Sequence, residues 1–360
     1  MAKRVTTEFL PGTVTSMVYV FDGHNDALTR EDHTGLATGR AGGHLDLPRM
    51  RAGGVRGGVF AIFTPSDDDD TWAPVPRDDG VLEFAYGNPI SHERAAAHAT
   101  AAAGLLLGLE RAGAVRVART ISDIDDAFSD ASRIPVAVLH LEGAEAIDPE
   151  LEALDQWYAA GLRSLGPVWS RENAFGSGVP FISPSSPDTG PGLTPPGKRL
   201  VARCSDLGIL VDLSHLNEAG FWDVAKMEVG PLVASHAGAH ALSPASRNLT
   251  DRQLDAIGAS NGLVGIVFAS PFLRRDFEDT EETPASLIAD HARYVADRIG
   301  VEHVALGSDF DGATIPAAVG DVAGMPVVLD ALRAVGFSEA ELESIGWRNW
   351  RRVLATWWDG

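Results

Sequence analysis

Residues 18–26 read VYVFDGHND, a short Val-rich run that passes directly into a polar turn carrying His24 and Asp26. The run is too short for a helix and is built from strand-favouring residues. Seven further stretches share its form: GGVFAIF (57–63), PVAVLHL (135–141), LRSLGPV (162–168), GILVDLS (208–214), PLVAS (231–235), GLVGIVF (262–268) and HVALGS (303–308). Runs of this kind suit strands buried on both faces of a parallel sheet. Helix-like segments lie between most of them, at 90–119, 149–160, 195–207, 217–228, 250–259 and 284–299. Eight strands alternating with helices predict an α/β fold, a (β/α)8 barrel of the TIM type. No repeat or linker divides the chain, so residues 1–360 read as one domain.

Two stretches interrupt the alternation: SDDDDTWAPVPRDDG (66–80) and FGSGVPFISPSSPDTGPGLTPPG (175–197). Both are rich in turn-forming residues and are expected to be loops. Long loops after barrel strands lie on the C-terminal face, where barrel enzymes carry their active sites. The tail SIGWRNWRRVLATWWDG (344–360) has apolar residues at helical spacing and predicts a packed closing helix.

The chain carries a formal charge of −21 with 45% hydrophobic residues, enough for a sizeable core. That charge argues against nucleic acid and against anionic membrane surfaces as partners. Cys204 is the only cysteine, so no intramolecular disulfide forms and a reducing compartment is the simplest reading. The first twenty residues lack the apolar core of a signal peptide, and no stretch reaches the length of a membrane helix. The expected location is cytoplasmic.

The polar residues at the ends of the runs share a pattern. His24 and Asp26 close the first, Glu142 the third, His215 the fifth, His236 the sixth and Asp309 the eighth. In a parallel barrel these positions gather on one rim. Three histidines and three carboxylates make a donor set for Zn²⁺ or a similar divalent ion. Taken singly, each has a plain reading as a core histidine or a turn aspartate. Together they predict a metal site.

The stretches DGHND, LEGAE, DLSH, the ASH of the sixth run and GSDFDG occur in an order and spacing that resembles the membrane (renal) dipeptidase family, peptidase M19, of the amidohydrolase superfamily. The resemblance runs from about residue 18 to WRNWRRVL near the end. It implies a zinc-dependent dipeptidase with two Zn²⁺ per chain. His24 and Asp26 would bind one ion, His215 and His236 the other, and Glu142 would bridge both. Asp309 would be the acid/base that handles protons of the metal-bridging hydroxide and the leaving amine. Arg247 would hold the free carboxylate of a small dipeptide-like substrate, of the L-Xaa-D-Xaa kind in bacterial relatives. The resemblance also implies pairing as a homodimer, which no stretch of the sequence specifies. Many superfamily members bridge their metals with a carboxylated lysine. Lys3, Lys198 and Lys226 are the chain's only lysines and none closes a run, which leaves Glu142.

One position departs from the family. Its members end the fourth strand in a histidine that contacts the substrate carbonyl; GLRSLGPVWSRENAFG holds Trp169 there. Tryptophan donates one N–H but carries no charge and does not titrate. The site then accepts another amide, lactam or ester, recruits Arg171, or turns over slowly; a non-hydrolytic metal-binding member is a further alternative. Other residues are expected to play smaller parts. His140 and Asp22 are either supports for the ligands or core residues, Asp311 belongs to the turn after Asp309, and Cys204 is an inert buried thiol. The Asp67–Asp70 run is expected to be a solvated loop.

Overall fold

The computed structural model describes residues 17–66, 74–77, 79–84, 88–129 and 134–359. The eight runs form eight strands: β1 (Val20–Asn25), β2 (Val55–Phe63), β3 (Val136–Glu142), β4 (Leu162–Gly166), β5 (Leu210–Val211), β6 (Val233–Ala237), β7 (Leu263–Ile266) and β8 (Val304–Leu306). All neighbours pair in parallel and in sequence order, β1 to β5 in one sheet and β6 to β8 in another. Two parallel bridges, Asp212 to Val233 and Asn25 to Phe310, join the sheets into a closed barrel. Every residue of β1 and β3 is buried, as strands covered by helices on one side and filled by side chains on the other must be.

Close strand contact has a sequence cause. A Cβ on Gly265 or Gly307 would sit 1.8 or 1.9 Å from the Ser235 carbonyl oxygen, so only glycine lets β7 and β8 seat against β6 there. The expected closing helix is present as Asn349–Trp358. Its Trp350 donates from Nε1 to the Leu306 carbonyl at 3.0 Å. The indole presses so tightly on β1 that a Cβ on Gly23 would lie 2.3 Å from Trp350 Cζ2. Trp350 therefore buttresses the seam between the first and last strands.

Several expectations need correction. The 90–119 helix stops at Arg111; the chain turns at Gly113 (φ +72°), adds a short strand (Arg116–Val117) beside β3 and starts a second helix, Ile121–Phe128. The β-branched Val115 and Val117 favour that strand, and Thr120 with Asp123 forms a capping box for the new helix. The 66–80 and 175–197 stretches are not loops throughout. Pro74–Pro76, Leu82–Phe84 and Ile182–Ser183 make a small antiparallel sheet that ties the two insertions together. The helices Leu47–Ala52 and Met325–Ala334 were not foreseen, the first because six residues carry little periodicity. The Asp67–Asp70 run and most of the amino-terminal stretch lie outside the described residues. No helix among the described residues is long and apolar enough to cross a membrane.

Candidate active site

The strand ends converge on one rim and bring His24, Asp26, Glu142, His215, His236 and Asp309 together, all buried. Glu142 Oε1 is the centre of the arrangement. It lies 3.3 Å from His24 Nε2, 2.9 Å from His215 Nε2 and 3.5 Å from His236 Nε2. The Nε2 atoms of His215 and His236 are 3.1 Å apart, close to the about 3.3 Å spanned by two nitrogens on one tetrahedral zinc. His24 Nε2 is 3.7 Å from Asp26 Oδ2. Glu142 with His215 and His236, and His24 with Asp26 and Asp309, are two groups whose donor atoms lie within 4.8 Å of one another.

The inward aim of the imidazoles is set from behind. Ser170 Oγ pairs with His215 Nδ1 at 2.8 Å, and Ser235 Oγ pairs with His236 Nδ1 at 2.8 Å and reaches His24 Nδ1 at 3.4 Å. Asp212 anchors this layer: it accepts from Ser235 N (2.8 Å), Ser235 Oγ (2.5 Å) and Ser214 Oγ (2.7 Å). With Nδ1 occupied, each ring presents Nε2 to the cluster.

The electrostatics ask for cations. Burial and the Glu142 charge push the Asp26 carboxyl up to about 8, and burial pushes Asp309 up to about 6. Burial and the nearby Arg247 guanidinium hold His215 down to about 4, so its ring keeps a free lone pair. Against its own burial, Glu142 is held well below the carboxylate range by His24 and His215. His24 Nε2 and Asp26 Oδ1 are buried with no hydrogen-bond partner among the described residues. This donor set, three imidazoles and three carboxylates with unmet atoms facing inward, fits a pair of divalent ions such as zinc.

Asp309 stands at the barrel seam in the left-handed region, φ +63°, with Asp311 at +71°. Its N–H donates to His24 O at 3.0 Å, and Asp26 N donates to Phe310 O at 2.8 Å, so closure of the barrel fixes a conformation that costs on the order of 1 kcal/mol. Asp311 does more than turn the chain. Its buried carboxylate pairs with Arg40 and accepts from His44 N at 2.5 Å, pinning the loop after β1 to the end of β8.

Arg247 is buried beside His215 and His236. Its Nη2 donates to His236 O at 2.8 Å and lies 3.3 Å from His215 Nε2, while Nε and Nη1 have no partner among the described residues. The loop that carries it is held by Asn248, which accepts from Gly238 N (3.0 Å) and donates to Ser243 O (2.9 Å) and Phe272 O (2.8 Å).

Trp169 forms one wall of a cavity of about 70 Å³ that is also lined by Asp26, Glu142, His215, His236 and Asp309. Its ring lies 4.7 Å from Phe63, 5.5 Å from Phe181 and 5.8 Å from His215. Arg171 is not free to replace the family histidine. Its Nε binds Glu145 Oε1 at 2.9 Å, Nη2 binds Thr64 O at 2.8 Å and Nη1 binds Ser66 Oγ at 3.2 Å. The guanidinium is a bolt behind the tryptophan.

His140 sits behind His24, with Nδ1 on Ser164 Oγ at 2.8 Å and Nε2 3.8 Å from Asp212. Asp22 accepts from Ser308 N and Oγ, both at 2.8 Å, and so serves the seam. Cys204 is buried and its thiol is pushed up to about 12, an inert group. Asp212, Ser170 and Ser235 were missed from the sequence. Asp212 and Ser235 stand in the same strand ends as His215 and His236, which was the available signal.

Comparison with known proteins agrees with this geometry. Residues 12–357 match the family described as membrane dipeptidase (peptidase family M19). A Klebsiella pneumoniae protein, described as an uncharacterized protein in the pqqA 5′ region, is 47% identical over 247 residues, 69% of this chain and 90% of that one. The crystal structure of an M19 metallopeptidase, dipeptidase AC, superposes with a TM-score of 0.88 at 46% identity, covering 95% of this chain and 99% of that one. A metallopeptidase from Rhodobacter sphaeroides, solved with a phosphinate mimic of the dipeptide L-Ala-D-Ala, superposes at 0.89 with 45% identity over the same shares. The barrel, its rim of histidines and carboxylates and these matches agree: the chain belongs to the membrane dipeptidase family, peptidase family M19.

Proposed function

We propose that this protein is a zinc-dependent dipeptidase that hydrolyses the amide bond of small dipeptides with a free carboxylate. The observation that carries the reading is Arg247, a buried guanidinium beside the His215–His236–Glu142 cluster with two nitrogens that have no partner among the described residues. A planar fork of that kind recognises a carboxylate, and its position next to the cluster limits the distance between substrate terminus and scissile bond. The narrow cavity and the dipeptide mimic bound by the Rhodobacter sphaeroides relative support the same substrate class.

In this reading His24 and Asp26 would hold one ion, His215 and His236 the second, and Glu142, whose Oε1 faces all three rings, would serve both. A bound pair of divalent ions polarises the scissile carbonyl and acidifies a water molecule. Arg247 binds and orients the substrate carboxylate. Asp309 takes a proton on its carboxylate and delivers it to the leaving amine nitrogen. Ser170, Ser235 and Asp212 keep the imidazoles aimed, and Trp169 with Phe181 and Phe272 lines the substrate side and excludes water.

The test is amino-acid release from a panel of L-Xaa-L-Xaa and L-Xaa-D-Xaa dipeptides by zinc-loaded protein, with a chelated control. Chelator-sensitive release is expected. Protein that holds two metals and cleaves no member would overturn the reading. Trp169, which gives the cavity wall no titratable group, favours a second reading: a hydrolase of the same fold acting on another amide, lactam or ester. Cleavage of such substrates alone would establish it.

A further inference from the structure

The cavity has a carboxylate that the catalytic assignment leaves unused. Asp279 lies on the wall, in the loop after β7, beside Thr314 in the loop after β8. Its Oδ1 is buried without a hydrogen-bond partner among the described residues. Burial raises its carboxyl, opposed only by a hydrogen bond to Thr314. No basic side chain forms an ion pair with it among the described residues. The nearby Arg274 is taken by Asp276 at 2.5 Å and Glu278 at 3.0 Å. Hydrogen bonds tie together the two loops that carry Asp279 and Thr314. Ala317 N donates to Glu281 O at 2.8 Å, Ser270 N donates to Thr314 O at 3.0 Å, and Thr283 Oγ1 donates to Thr280 O at 2.8 Å. A carboxylate held in a cavity wall with an unmet oxygen is a costly group unless a cation visits it.

The substrate class of the proposed dipeptidase brings one cation to every encounter. A dipeptide is a zwitterion, with a carboxylate at one end, an ammonium at the other and the scissile amide between them. Arg247 answers the first. We propose that Asp279 is the substrate-binding residue that receives the free α-ammonium, so that the cavity measures the molecule by both charged ends. The assignment rests on the dipeptidase reading and adds a specificity to it: the site requires an unblocked amino terminus and rejects amides that lack one. Asp26 and Asp309 are less suited to the task, since each lies in the group that faces His24.

The experiment compares zinc-loaded wild type with Asp279→Asn on L-Ala-D-Ala and on propionyl-D-Ala, which differs only in lacking the amine. Wild type should cleave L-Ala-D-Ala with a kcat/KM at least about 10-fold above propionyl-D-Ala, from the worth of one charge-assisted hydrogen bond. In Asp279→Asn the value for L-Ala-D-Ala should fall by about 10- to 100-fold, chiefly through KM, while that for propionyl-D-Ala stays unchanged, so that discrimination collapses. Bound zinc and Tm should match the wild type. Asp276→Asn, on the same loop but exposed and paired with Arg274, should alter neither substrate. Equal losses on both substrates, no loss on L-Ala-D-Ala, or wild-type indifference to the amine would each overturn the assignment while leaving the dipeptidase reading intact. A loss confined to L-Lys-D-Ala would overturn it in favour of a side-chain cation. Wild type that cleaves no dipeptide would remove the dipeptidase reading, and the assignment with it.

Discussion

The floor and the wall of the cavity are made in different ways. Every histidine and carboxylate of the floor stands at or just past the end of a barrel strand, and its rings pair with Ser170 and Ser235, the second held by the carboxylate of Asp212. The wall is made of Trp169, Phe181, Phe63 and Phe272, rings in contact with one another on or beside the inserted loops, with Arg171 bolted behind. Hydrogen-bonded strand ends admit one geometry, whereas apolar packing tolerates exchange of similar volumes. The floor is therefore the fixed half of the site and the wall the half in which substrate preference is free to change.

Substitutions can break that division. Glu142→Ala should have the largest effect, since it removes the oxygen shared by three rings: both metals and all turnover should be lost. Retention of two zinc ions, measured by elemental analysis, would show that the floor is not centred on Glu142. Asp309→Asn should keep the metals and lower kcat by about 10²- to 10⁴-fold, the usual reach of a proton-transfer group; a fully active variant would remove its role. Arg247→Ala should raise KM for carboxylate-bearing dipeptides by about 10- to 100-fold with a smaller change in kcat, and steady-state kinetics decide it. Ser235→Ala should weaken zinc binding by about 10-fold in chelator competition, because the ring of His236 loses its support. Trp169→Phe, the smallest, should leave zinc affinity unchanged and alter the ranking of substrate side chains less than about 10-fold. If it released metal as Ser235→Ala does, floor and wall would be one unit.

The same division explains what could be read in advance. The barrel was legible because eight Val- and Leu-rich runs each end in polar residues, and once the fold is a parallel barrel those ends must meet on one rim. His24, Glu142 and His215 are far apart in sequence yet close in space for that reason alone. Of the wall only Trp169 was legible. Arg171 looked available because nothing in SRENAFG shows that Glu145, Ser66 and Thr64, from two other loops, surround its guanidinium. Asp279 is one acid among several in RRDFEDTEE, and the pairing of its loop with the one carrying Thr314 follows no periodicity. The short sheet joining Pro74–Pro76, Leu82–Phe84 and Ile182–Ser183 was hidden in stretches dominated by turn formers.

The indole of Trp350 against Gly23 has a consequence for how the protein is made. Trp350 follows Asp26 by 324 residues, and at about 5–20 residues per second the gap on the ribosome is tens of seconds. Throughout it the emerging β1 has no β8 beside it and no closing helix behind it. In the dipeptidase reading, loading of the ion that His24 and Asp26 would hold therefore waits until β8 and the closing helix are in place.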